Sequence, residues 1–118
     1  MDAQKQTITL AKILGVLFII IGFPKVIGFE MMVANFNNWN LGSLWRYIVG
    51  TTEVVLGVLM FVPILRKYAA FLYFSMMPAA FMIHLASKEY GMLIMPVIIG
   101  SFTLWYLIKD EVVNLSEQ

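Results

Sequence analysis

Residues 92–104 read MLIMPVIIGSFTL, with no charged side chain and no polar stripe at helical spacing. A helix on a water-soluble protein needs such a stripe on the face turned away from the core. Residues 54–65, VVLGVLMFVPIL, lack it as well. Both stretches read as helix that is apolar all round, which suits hydrocarbon as the surrounding solvent. Outward from them, apolar runs cover residues 9–27, 45–65, 68–86 and 92–108. Each has the length that about 30 Å of hydrocarbon demands at about 1.5 Å per residue. The pattern predicts an all-α, polytopic membrane protein: a bundle of four transmembrane helices forming a single domain over residues 1–118. Nothing has the alternating pattern, about ten residues long, of a membrane barrel strand.

Composition agrees. Hydrophobic residues make up 61% of the chain and charged residues 13%, with a mean hydropathy of +0.85. A soluble domain carries about 25% charged residues. The net charge of +1, with no basic run, argues against nucleic acid as a partner. The absence of cysteine removes disulfides, thiol relays, cysteine zinc sites and iron–sulfur clusters from this chain. One histidine does not supply the paired axial ligands of a membrane b-type haem. Met76, Met77, Met82, Met92 and Met95 read as packing, so no metal site is expected. Lys5 and Lys12 before an apolar run resemble the start of a signal peptide. The run over 10–27 is too long for one, and no Ala-x-Ala site follows, so it is expected to stay as the first helix.

The connections carry topology. Lys5, Lys12, Arg66, Lys67 and Lys109 fall on one side of a four-span layout, and Lys25, Arg46 and Lys88 on the other. The bias puts both termini in the cytoplasm. Trp39, Trp45, Tyr47 and Tyr90 then mark the outer interface. In the longest connection, 28–44, Met32, Val33, Phe36 and Trp39 follow helical spacing among Asn35, Asn37, Asn38 and Asn40. This fits a short helix lying in the interface equally as well as an ordinary loop.

Ionisable groups inside a span cost several kcal/mol unless paired, so each is a functional candidate. Three qualify: Lys25 near the end of the first helix, Glu53 inside the second and His84 near the end of the third. Glu53 lies roughly 12 Å below Trp45 at helical rise, which places all three in the outer half of the bilayer. Gly50, Glu53 and Gly57 share a helix face, as do Gly22 with Lys25 and Ala80 with His84. Small residues mark where membrane helices approach closely, so Glu53 is expected to face the bundle. Pro24 and Pro78 remove helix hydrogen bonds beside the site. Glu53 and His84 are candidates for a proton relay, and with Lys25 for a ligand-binding set. The plainer alternatives are a snorkelling Lys25, a headgroup-level His84 and a Lys25–Glu53 lock between helices.

These residues carry a resemblance. Gly22-Phe23-Pro24-Lys25-Val26-Ile27-Gly28 resembles the G-x-x-K-x-x-G end of the first helix in DoxX and DoxX-like proteins. Gly50-Thr51-Thr52-Glu53-Val54-Val55-Leu56-Gly57, followed by Leu59 and Pro63, resembles their G-x-x-E-x-x-x-G second helix. The run from Met77 and Pro78 through Ala80 to His84 resembles their third. The likeness spans roughly residues 8–108. It implies a four-helix integral membrane bundle, of bacterial inner-membrane type, with Lys25, Glu53 and His84 in the family's polar positions. Some members resemble membrane subunits of quinone-linked oxidoreductases, and animal relatives act as receptor-assembly chaperones. The expectation is therefore a subunit of a redox-linked complex with a quinone as cofactor and a redox subunit or other membrane protein as partner. The alternative is a non-enzymatic assembly factor in which Lys25 and Glu53 form the lock. Homo-oligomerisation stays open, and a small transporter is the weakest option, since four short helices enclose a pore only as an oligomer.

Overall fold

The computed structural model describes residues 2–117; Met1 and Gln118, the two ends of the expected single domain, lie outside the described residues. The chain forms helices α1 (Ala3–Ile27), α2 (Glu30–Asn38), α3 (Gly42–Leu59), α4 (Arg66–Ala86) and α5 (Ile94–Ser116), with a 3-10 turn at Tyr90–Leu93 before α5. Among the described residues there is no strand. Among the described residues, three helical segments are long and apolar enough to cross a membrane: Ala3–Ile27, Arg66–Ala86 and Tyr90–Ser116. Their outward faces carry Ile13, Ile20, Phe71, Leu72, Val97 and Phe102, all exposed. Such surface is stable in lipid and not in water, and the protein is an integral membrane protein in a bilayer.

The helix limits have local causes. α1 begins earlier than the apolar run because the Asp2 carboxylate accepts the Lys5 backbone N–H at 2.8 Å, capping the first turn. It ends at Gly28 (φ 75), where the Phe29 N–H returns to the Pro24 carbonyl oxygen at 2.9 Å. α3 does not fill the expected segment 45–65. It stops at Leu59 because the ring of Pro63 would clash with that carbonyl and has no N–H to give it. The chain then turns through 60–65, and Arg66 Nε donates to the Met60 carbonyl oxygen at 3.0 Å. α3 also falls outside the three apolar segments, since Arg46 and Glu53 lie within it. α5 runs past 108 because no helix breaker follows Gly100.

α1 and α3 are antiparallel and pack glycine against glycine. A Cβ at Gly15 would lie 2.7 Å from the Gly57 carbonyl oxygen, and one at Gly22 2.7 Å from that of Gly50. The two pairs bring the backbones close enough for short-range contact along both helices. α5 packs on α1 and α4 on α3, and α4 and α5 pack against each other. Phe18 of α1 stacks on Tyr73 of α4 with ring centroids 3.5 Å apart, and Leu14, Met60, Ala70 and Tyr106 complete the core.

Candidate functional site

The close α1–α3 approach places the last turn of α1 beside the middle of α3. Gly50 has no side chain because Lys25 occupies that space: a Cβ there would meet Lys25 Cβ at 2.6 Å. Lys25 Nζ forms an ion pair with Glu53 Oε1. The other carboxylate oxygen, Oε2, accepts the Tyr73 hydroxyl of α4 at 2.9 Å. Glu53 is 3% exposed, so both oxygens are satisfied inside the bundle by groups from two further helices. A buried charge of this kind is tolerable only when paired and hydrogen-bonded.

Arg46, which the sequence assigned to the outer side without a site role, is 4% exposed. Its guanidinium Nη1 donates to the Lys25 carbonyl oxygen, one of the acceptors left open at the end of α1. Gly28 leaves room for it: a Cβ there would lie 3.3 Å from Nη1. The signal was present in the sequence, since Arg46, Gly50, Glu53 and Gly57 share one helical face.

His84, at the end of α4, does not hydrogen-bond to Glu53. Its Nδ1 donates to Glu89 Oε1 at 2.9 Å, and the Trp39 indole N–H donates to that same oxygen at 2.9 Å. The Trp39 and His84 rings meet edge-on, 5.4 Å between centroids. The His84 hydrogen bond, then that of Trp39, holds the Glu89 carboxyl below its usual range against the opposing effect of burial. Trp39 belongs to the turn after α2, which is anchored by the buried Phe36. The short helix in the first connection is thus present, packed on α3.

What unites the three predicted residues is a cavity of about 360 Å³ between α2, α3 and α4. Lys25, Glu53, Trp39 and His84 line it together with apolar residues such as Met76 and Ala80. The volume falls in the range of small-molecule sites, and an apolar lining with a few polar groups is their usual character. Among the described residues, no three His, Asp or Glu side chains converge as a metal ion requires. Tyr73 and Glu89 were not foreseen. Tyr73 shares a face with Met77, Ala80 and His84, so spacing could have found it.

No curated protein and no solved structure matches the chain. The family model described as DoxX matches residues 12–85, more than half of the sequence, and this stretch holds Lys25, Glu53 and His84. On that match, with the helical membrane architecture around it, the chain belongs to the DoxX family.

Proposed function

We propose that the chain is a four-span membrane subunit of a redox-linked complex that holds a quinone-class head group in the cavity lined by Lys25, Glu53 and His84. The observation that carries this reading is that those three residues, from three helices, line one cavity. Quinone chemistry needs a proton-exchanging group near each ring oxygen, and Glu53 and His84 are the candidates for that relay. Apart from these groups, Ser75 and Trp39 the lining is apolar, which suits a ligand that partitions from lipid.

α3 is taken as the fourth span. Its two charges are buried and partnered, while Leu44, Ile48, Val55 and Val58 are exposed and apolar. At 18 residues it is about 27 Å long. The positive residues then favour cytoplasmic termini, and α2 lies at the outer interface as an amphipathic helix above the cavity.

A second reading has its own support. Both oxygens of Glu53 are already taken, by Lys25 and Tyr73. That is what a lock between α1, α3 and α4 in a non-enzymatic assembly factor would need. Native mass spectrometry and lipid-extract analysis of wild type and Glu53→Gln in mild detergent separate the two. A stoichiometric quinone in wild type that is lost from a folded variant supports the ligand site. No bound molecule in wild type, together with a destabilised variant, sinks it and selects the lock.

A further inference from the structure

Glu89 lies just beyond the stretch matched to the family, yet two elements converge on it. A carboxylate only accepts hydrogen bonds, so the 2.9 Å contact between Oε1 and His84 Nδ1 requires the hydrogen to sit on Nδ1. The Glu89 backbone N–H also donates to the His84 carbonyl oxygen, at 2.9 Å. The left-handed conformation of Lys88 (φ 58) makes the turn that allows both bonds. Trp39 adds its indole N–H to the same Oε1. Residue 89 is thus held at backbone and side chain together beside the ring.

With Nδ1 committed, a neutral His84 carries its lone pair on Nε2. Among the described residues Nε2 has no hydrogen-bond partner. His84 is one of the residues that line the cavity. A histidine whose proton is fixed on one nitrogen by a carboxylate offers the other as an acceptor. A quinone carbonyl is an acceptor too and gains nothing there, whereas a quinol hydroxyl donates.

We propose that Glu89 is a positioning residue: it fixes His84 as the Nδ1–H tautomer, so that Nε2 accepts a hydrogen bond from a hydroxyl of the bound ligand and the cavity prefers the quinol over the quinone. The preference rests on the reading of the cavity as a ligand site; the tautomer does not.

His84 is the single histidine of the chain, so isotope-labelled histidine in the full-length protein in detergent reports this ring alone by nitrogen NMR. At a pH where the ring is neutral, the Nδ1–H form is expected to dominate in wild type and in Trp39→Phe, which keeps the carboxylate. Glu89→Ala is expected to switch the ring to the Nε2–H form favoured by a free histidine side chain. An Nε2–H ring in wild type overturns the assignment, as does an unchanged Nδ1–H ring in Glu89→Ala. Titration with a short-chain benzoquinol is then expected to shift the Nε2 resonance more than the matching quinone does. A stronger response to the quinone overturns the preference. An Nδ1–H ring indifferent to both upholds the positioning role of Glu89 and overturns the quinone-class ligand.

Discussion

Gly22 and Gly50 face each other across α1 and α3 with no space for a methyl group on either. A Cβ on Gly22 would lie 2.7 Å from the Gly50 carbonyl oxygen, and one on Gly50 2.9 Å from that of Gly22. The obstruction is backbone, so no rotamer change relieves it. Gly22→Ala and Gly50→Ala are predicted to force the helices apart at a cost of about 1–3 kcal/mol each. The check is the thermal unfolding midpoint in detergent. Gly91→Ala is the control, because nothing lies within 4 Å of its added Cβ, and it should leave the midpoint unchanged. Equal midpoints for all three variants would refute the close packing.

The ion pair beneath that contact predicts a non-additive pair of substitutions. Lys25→Met leaves the Glu53 carboxylate without its cation in a site that is 3% exposed. The expected loss is about 3–5 kcal/mol, the usual result of breaking one side of a buried pair. Adding Glu53→Gln removes the stranded charge and keeps an acceptor for the Tyr73 hydroxyl. The double variant is therefore expected to recover most of the loss in unfolding measurements. A double variant less stable than Lys25→Met would mean that the carboxylate has another source of compensation.

Acid should release Trp39 and His84 together. The Glu89 carboxyl is held below its ordinary range, chiefly by the His84 hydrogen bond and then by that of Trp39. A group whose folded value is depressed contributes its stability in full above the unfolded value. That contribution is lost as pH falls through the lower folded value. Wild type should therefore exceed Glu89→Ala in stability at neutral pH, and the difference should vanish in acid below the carboxylate range. Unfolding midpoints of both proteins across a pH series provide the test, and a gap that stays constant with pH would count against an ionised Glu89.

The sequence exposed the parts of this site that repeat at helical spacing. Gly50, Glu53 and Gly57 could be placed on one face, and so could Gly22 with Lys25, because a helix turns the same residues the same way whatever surrounds it. The apolar run at 92–108 needed no more than its length. The burial of Arg46 beside the site was not foreseen, although Arg46 shares a helical face with Glu53; its neighbours Trp45 and Tyr47 resemble an interfacial belt. Glu89 was not legible at all. Its contact depends on a left-handed turn at Lys88, and a lysine gives no sign of that conformation, whereas Gly91 nearby would have suggested the turn lay later. Long-range partners such as Trp39 add a contact that no periodicity encodes.

The burial of Arg46 also constrains how the chain enters the bilayer. On the four-span reading, α3 alone would carry Arg46 and Glu53 into hydrocarbon uncompensated, at about 2.5–3.5 kcal/mol for each charged residue at the centre of a helix. α1 supplies both missing partners from a single residue, the Lys25 carbonyl oxygen for the guanidinium and the Lys25 ammonium for the carboxylate. The third helix is thus a poor substrate for the insertion machinery until the first is waiting beside it. On that reading, synthesis from the N-terminus delivers them in that order, and α1 is in place to compensate the segment that bears the site.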